Sequence, residues 1–190
     1  PLAPGDRVEI RFGRAREAVS HAMLRIVYED DDLIVIDKRN GLLSVATDKQ
    51  IMRTAYSILS EHVKREDPRN KIFVLHRLDR ETSGLMMFAK SEAVKVRVQS
   101  RWTETVRDRK YFAVVEGRVE EPSGTISTYL TESRAMKVYV THREEGKMAH
   151  TGFRVLKYSA RNDVTLLELE LETGRKNQIR AHMEYIGHPI

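Results

Sequence analysis

The chain has 190 residues, enough for one sizeable domain and too few for two large ones. Hydrophobic residues make up 41% and charged residues 32%, and the net charge of +5 favours an acidic partner such as nucleic acid. Cysteine is absent, which excludes disulfides and cysteine-ligated zinc and is compatible with a reducing cytoplasm. No apolar run reaches the length of a membrane span and the histidines lack metal-ligand spacing, so neither a span nor a metal is predicted.

The first 23 residues are predicted to be a leader, followed by the main domain at 24–190. Within the leader, Pro4–Phe12 has the pattern of a turn and an alternating strand, and the polar stretch Gly13–His21 is predicted to be a linker. Because the chain begins at Pro1 rather than Met, we expect it to be part of a longer protein.

Strand and turn signals begin at Leu24. Strands are predicted at Leu24–Tyr28 and Leu33–Ile36, separated by the acidic turn Glu29–Asp32. Gly41 and Asp48 bound an irregular loop.

One helix and two short strands follow this loop. Thr54 is a suitable N-cap for a helix that runs to about Glu66 and is ended by Pro68. The apolar runs Ile72–Leu75 and Leu85–Ala89 predict two strands with a polar stretch between them. That polar stretch would lie where two sheet strands end, which is a rigid mount for a reacting group.

The second half of the chain is rich in strands. Ser91 is predicted to cap a helix with Val94, Val98 and Trp102 on one face. A final helix is packed by Ile179, Met183 and Ile186. Runs of strands with few helices predict an α+β fold, a mostly antiparallel mixed sheet with flanking helices. The predicted strands are Tyr111–Glu116, Thr125–Leu130, Lys137–Thr141, Phe153–Tyr158 and the alternating Leu167–Glu172.

The polar stretch His76–Gly84 is the most informative part of the sequence. It sets one carboxylate, Asp79, among two arginines, a histidine and two hydroxyl residues. Neighbouring positive charge favours the ionised carboxylate, and the glycine allows a sharp turn, so Asp79 could act as a nucleophile or base. From composition alone, a surface ion pair beside a turn is the more common explanation.

This stretch resembles the signature loop of the RluA family of pseudouridine synthases, His-Arg-Leu-Asp-x-x-Thr-Ser-Gly, and matches every fixed position. Further segments resemble the family's other motifs in the same order, namely Tyr28–Lys38, Lys110–Gly117, Glu172–His182 and Gly187–Ile190. The resemblance implies the pseudouridine synthase catalytic fold. It also implies an enzyme that isomerises uridine in RNA, without a cofactor, by breaking and re-forming the glycosidic bond.

The resemblance also implies roles for individual residues. Asp79 would be the essential carboxylate, acting on the sugar carbon or on a ribose proton. Tyr111 would stack on the uracil, and Arg180 would pair with Asp79, with Arg175 as the second candidate. Without the resemblance, Tyr111 would be assigned to the core and both arginines to phosphate binding or a solvated helix terminus. The remaining substrate-binding candidates are Arg77 in the gap left by a flipped base, His76 and Thr82 bracing the loop, and Lys38 in the basic surface. Leu171, or alternatively Leu169, would pack against the uracil, although core packing is the more common role of such leucines.

The sequence departs from the family's pattern at two places. Arg39-Asn40 follow Lys38 where the family has proline, which puts substrate contacts of that loop in doubt. Asn177 stands where the family has histidine, so no role is carried over to it. The leader resembles the end of an RNA-binding domain that precedes the catalytic domain, and the family continues beyond Ile190. We therefore expect a catalytic domain that is incomplete at its C-terminal end.

Ribosomal RNA of the large subunit is the favoured substrate, with transfer RNA second, and we expect a cytoplasmic monomer that needs no cofactor or metal. An alternative is a non-catalytic domain that holds RNA on the same basic surface. Intact Asp79, Tyr111 and Arg180 favour the enzyme over this module. A metal-dependent nuclease or phosphatase is a second alternative, but the sequence shows no clustered acidic ligands for it.

Overall fold

The structure is a computed structural model that describes residues 20–46 and 53–190. The chain divides into two compact units, residues 1–99 and 100–190. The predicted strand at Pro4–Phe12 lies outside the described residues, as does most of the predicted linker.

Unit 1 contains a five-stranded sheet in the order β1-β2-β3-β5-β4, with every neighbouring pair antiparallel. The central strand β3 buries Ile34 and Ile36 completely. The three longer strands confirm the sequence prediction, whereas β1 replaces the end of the predicted linker and β4 is shorter than predicted. The strands are β1 (Ser20–His21), β2 (Leu24–Glu29), β3 (Leu33–Lys38), β4 (Phe73–Val74) and β5 (Gly84–Ala89).

Helix α1 (Ala55–Glu66) begins and ends where the sequence predicts. The Ser57 N–H donates to Thr54 Oγ1 at 3.1 Å and the Thr54 N–H donates to Ser57 Oγ at 2.8 Å, which forms a capping box. The first two amides of the helix donate to the carbonyls of Leu43 and Ser44. This helix start therefore satisfies its amides partly within the helix and partly from the preceding loop.

Among the described helices, none has the length and apolarity that crossing a membrane requires.

The helix predicted after Ser91 is shorter than expected. Helix α2 (Glu92–Ser100) starts with the Val94 N–H donating to Ser91 Oγ at 3.2 Å, as predicted. Arg101 leaves helical geometry with φ −122° and ψ 38°, and Trp102 starts the separate helix α3 (Trp102–Thr105). The prediction that Trp102 lies on the α2 face is therefore wrong, because a single non-helical residue ends the 3.6-residue period.

Unit 2 contains a second five-stranded sheet in the order β6-β10-β9-β7-β8, again antiparallel throughout. Strands β7 and β9 are longer than predicted, because each continues through polar residues that alternate with buried ones. A short 3-10 helix (Arg143–Glu145) joins β8 to β9. The strands are β6 (Lys110–Glu116), β7 (Ser123–Glu132), β8 (Val138–Thr141), β9 (Lys147–Ser159) and β10 (Val164–Leu171).

Helix α4 (Gln178–Tyr185) covers one face of this second sheet. Met183 joins a buried cluster with Leu167 and Leu169, and Ala181 packs with Leu130 and neighbouring strand residues. The structure confirms an α+β fold with antiparallel sheets. The parallel pairs of a mixed sheet are not seen between the described strands, because each described ladder joins strands that run in opposite directions.

Candidate active site

The signature loop connects β4 to β5, two neighbouring antiparallel strands. Asp79 is half-buried in this loop, and the Thr82 N–H donates to the Asp79 carbonyl at 3.1 Å, which closes a turn over residues 79–82. Gly84 starts β5 with φ +126°, a conformation that side chains of L residues rarely adopt. The loop therefore turns where the sequence predicts, and Asp79 projects from a short connection between two sheet strands.

The segment that follows β3 is hydrogen-bonded to the residues directly before and after Asp79. The Gly41 N–H donates to the Arg80 carbonyl at 2.8 Å, and Arg80 Nε donates back to the Gly41 carbonyl at 3.2 Å. Ser44, which the sequence analysis did not single out, is hydrogen-bonded to Leu78. Both peptide neighbours of Asp79 are thus bound to the same segment.

Lys38 lies in a different environment from the one predicted. Its side chain is completely buried, and Nζ donates to the carbonyls of Arg39, Leu42 and Arg80 at 3.0, 2.9 and 3.2 Å. Burial lowers the pKa of the ammonium, and the nearby carboxylates of Glu81 and Asp79 partly offset that effect. Lys38 therefore braces the loop, and the prediction that it contacts substrate is withdrawn because its three donors are already used.

His76 is a neutral internal acceptor in this structure. Its Nε2 accepts the Met87 N–H at 3.1 Å, which assigns the ring proton to Nδ1. Burial lowers the pKa of the ring to about 4. His76 therefore ties the start of the loop to β5.

Two arginines of the loop remain exposed. Arg80 lies 3.7 Å from Glu81 and uses Nε for the carbonyl of Gly41. Arg77 is exposed, and its guanidinium has no ion-pair partner among the described residues. Of the two, Arg77 has the guanidinium that is available to an external anion or base.

In unit 2, Tyr111 and Leu171 lie on the same face of the sheet. Tyr111 is paired with Leu169 across the β6–β10 ladder, and it packs against the buried cluster that contains Leu169. Leu171 is two residues farther along β10, and residues two apart on a strand point to the same side. Both side chains are half-buried. An apolar and aromatic surface thus lies at the end of this sheet, on the face that α4 covers.

Gln178 organises the loop that carries Arg175. Its side chain is 2% exposed, and Oε1 accepts from the Arg175 N–H at 3.0 Å and from the Thr173 hydroxyl at 2.8 Å. Its Nε2 donates to the His150 carbonyl and to Thr151 Oγ1, both at 2.8 Å. Each hydrogen-bonding position of this amide is occupied, so the loop is tied to β9 through one buried side chain.

His182 continues this network one helical turn later. The fully buried ring bonds Thr151 Oγ1 through Nδ1 at 2.9 Å and Thr128 Oγ1 through Nε2 at 3.0 Å. Burial and the neighbouring His150 lower the pKa of this ring to about 4. Helix α4 is therefore positioned over β7 and β9 by specific polar bonds as well as by apolar packing.

The two arginines of the last motif differ in their surroundings. Arg175 is exposed, with Nε donating to the Met148 carbonyl at 3.0 Å, while Arg180 is half-buried on α4 between Gln178 and His182. Tyr111, Leu171, Arg175 and Arg180 thus all lie in unit 2. The structure groups His76, Arg77, Asp79, Thr82 and the brace Lys38 around one loop of unit 1.

Three of these polar positions escaped the sequence analysis. Gln178 and His182 are four residues apart on a helix face that otherwise packs a core, and polar residues at such positions are a signal for a buried network. Ser44 carries no comparable signal, because a single serine in an irregular loop is unremarkable.

Because His76 and His182 are buried, we predict that the protein loses stability in mild acid. Their pKa values, about 4, lie below the ordinary 6.5, so the unfolded chain binds protons that the native chain does not between these two values. The free energy of unfolding should therefore fall by about 1–2 kcal/mol per histidine from pH 7.5 to pH 5. Denaturant unfolding at the two pH values measures this, and equal midpoints and slopes would contradict it.

Comparison with known proteins supports the resemblance. The family model described as RNA pseudouridylate synthase matches residues 32–185. The chain is 33% identical over its whole length to the uncharacterized RNA pseudouridine synthase YlyB of Bacillus subtilis, and spans 64% of that protein. It is 31% identical over 98% of its length to the ribosomal large subunit pseudouridine synthase D of Nitrosomonas europaea, and spans 54% of it.

A solved structure shares the fold. Human RNA pseudouridylate synthase domain containing 4 superposes with a TM-score of 0.71 over 87% of this chain and 66% of the human chain, at 24% identity. The matched family model covers both the signature loop and the motif that carries Arg175 and Arg180. The chain therefore belongs to the RluA-type family of RNA pseudouridine synthases.

Proposed function

We propose that the protein isomerises uridine to pseudouridine in RNA, with Asp79 as the essential carboxylate. The reaction breaks the bond between ribose C1′ and uracil N1, turns the base and joins C1′ to C5. The C5 proton is lost and N1 gains one, so product and substrate have the same composition. The observation that supports Asp79 is its half-buried place in a loop whose peptides on both sides are hydrogen-bonded.

Two chemical roles fit the Asp79 carboxylate. It could add to C1′ as a nucleophile or remove the C2′ proton as a base, and both require the ionised form. The buried Lys38 ammonium lies near this carboxylate, whose negative charge partly offsets the lowering of the Lys38 pKa by burial. Tyr111 and Leu171 would contact the detached uracil. Arg180, or alternatively Arg175, would supply positive charge for the reaction.

The target uridine would have to leave its stack in the RNA before it reacts, since its reacting atoms are shielded inside a helix. The exposed guanidinium of Arg77 suits the resulting gap, because its plane can stack on bases while it contacts phosphate. Large-subunit ribosomal RNA is our preferred substrate, on the name of the Nitrosomonas relative and on the net charge of +5. Transfer RNA is second. A ribosomal substrate implies a cytoplasmic enzyme.

Tritium release tests this function. Large-subunit ribosomal RNA and transfer RNA labelled with [5-³H]uridine would be incubated with the protein, with and without a chelator of divalent metals. We expect tritium to enter water in proportion to the pseudouridine formed, and to be unaffected by the chelator. RNA binding without release would support the non-catalytic module instead. RNA cleavage that the chelator stops would support a nuclease.

A further inference from the structure

We infer that Ser44 is a positioning residue for Asp79, acting through the backbone of the signature loop. The Ser44 hydroxyl donates to the Leu78 carbonyl at 2.6 Å and accepts the Leu78 N–H at 3.2 Å. One side chain thus binds both polar groups of the residue that directly precedes Asp79. The inference rests on the proposed role of Asp79 in catalysis.

The contact between Ser44 and Leu78 is fully buried, so water cannot readily replace it. Ser44 is 4% exposed and Leu78 is 6% exposed. Among the described residues, the Leu78 N–H and carbonyl have no other hydrogen-bond partner. Buried peptide groups that lose their partner are strongly disfavoured, so without the hydroxyl the loop would have to move toward water or another partner.

Ser44 can act as an anchor because its own backbone is held. The Tyr56 N–H donates to the Ser44 carbonyl at 3.1 Å, and the Ala55 N–H donates to the Leu43 carbonyl at 2.8 Å. These amides belong to the first turn of α1, whose start is closed by the capping box. The rigid start of a helix is thereby connected, through one hydroxyl, to the peptide before Asp79.

The Ser44 contact is complementary to the one on the other side of Asp79. There, the Arg80 carbonyl accepts from Gly41 and from Lys38. Removing one of two anchors would leave Asp79 present but less well placed. Misplacement of a reacting group by about 1 Å can cost on the order of 100-fold in rate, while contacts to the rest of the substrate are kept.

The test is the Ser44→Ala variant of the protein, measured with [5-³H]uridine-labelled RNA. We expect kcat to fall about 10- to 100-fold, with KM and the Kd for RNA within about threefold of wild type. Amide hydrogen exchange at Leu78 should become faster, independently of activity. The control is Ser91→Ala, which also removes a serine hydroxyl bond, here a part-buried one at the start of α2, and should leave kcat unchanged.

The outcomes are separable. An inactive wild type refutes the proposed function. Amide hydrogen exchange at Leu78 would still show whether Ser44 holds the Leu78 peptide. An active wild type with unchanged kcat in Ser44→Ala overturns the inference. If Ser44→Ala does not fold, Ser44→Cys keeps nearly the same volume with a much weaker hydrogen-bonding atom. A fall in its kcat of about tenfold or more supports the inference, and wild-type kcat overturns it.

Discussion

The Asp79→Asn variant is expected to lose turnover, with tritium release at least about 1,000-fold slower than wild type. The amide has nearly the same shape as the carboxylate but cannot act as a base or as a comparable nucleophile. The hydrogen bonds that fix the loop use main-chain atoms of residues 78, 79 and 80, so the loop geometry should be preserved. The Kd for RNA should therefore stay within about threefold of wild type.

Glu81→Gln is the matched control for this variant. Glu81 lies in the same loop, and its carboxylate also attracts the Lys38 ammonium. The substitution removes the same charge from the neighbourhood of Lys38 but leaves Asp79 intact, so activity should be retained. Much weaker RNA binding by Asp79→Asn would mean that Asp79 is structural. Loss of activity in both variants would mean that Lys38 electrostatics, rather than Asp79 itself, determines the rate.

The second large effect is expected for Gln178→Glu, a change of nearly equal volume. The wild-type amide donates to the His150 carbonyl and Thr151 Oγ1, and a carboxylate in that position would face the His150 carbonyl with no proton to donate. Losing both donors and burying a charge should lower the free energy of unfolding by about 2–4 kcal/mol. Because the amide of Gln178 ties the Arg175 loop to β9, losing the two bonds to β9 should displace that loop, and kcat should fall about 10- to 100-fold.

The pH dependence sharpens this prediction. Burial and the His150 carbonyl should raise the pKa of the carboxyl group introduced by Gln178→Glu above that of an exposed glutamate. The stability lost should then be smaller at pH 5 than at pH 7.5, because protonation restores one donor. Chemical unfolding of wild type and variant at both pH values measures the difference. A deficit that does not shrink in acid would contradict a buried carboxylate.

Asn162→Asp provides the control for charge alone. It makes the same amide-to-carboxylate change in unit 2, but on the exposed turn between β9 and β10. Both activity and stability should stay close to wild type, since substitutions of exposed residues away from specific contacts have small effects. A similar loss in both variants would assign the effect to net charge and not to the buried network.

Local rules account for the elements that could be predicted. The capping residues of α1 are three positions apart, so four consecutive residues are enough to predict the helix start. The alternation in β10 likewise predicts which side chains are buried. The break at Arg101 was missed, because nothing in its neighbours marks the residue as non-helical.

The composition of the candidate site was predicted less evenly. The signature loop and Asp79 were identified because the motif is contiguous. Lys38 was assigned to the substrate surface because a lysine is ordinarily exposed. In the structure its ammonium group is buried and donates hydrogen bonds to three carbonyls of neighbouring loops. The roles of Tyr111, Arg175 and Arg180 remain predictions, and of these the Gln178→Glu variant bears on Arg175.

The sequence by itself determined the family, the strand-rich α+β fold and the loop that carries Asp79, because these depend on residues close together in the chain. Only the tertiary structure revealed what holds that loop and the arginine-bearing segment. Ser44 meets Leu78 across 34 positions, and His182 meets Thr128 across 54. Such pairs arise from sheet register and loop packing, which no local pattern encodes.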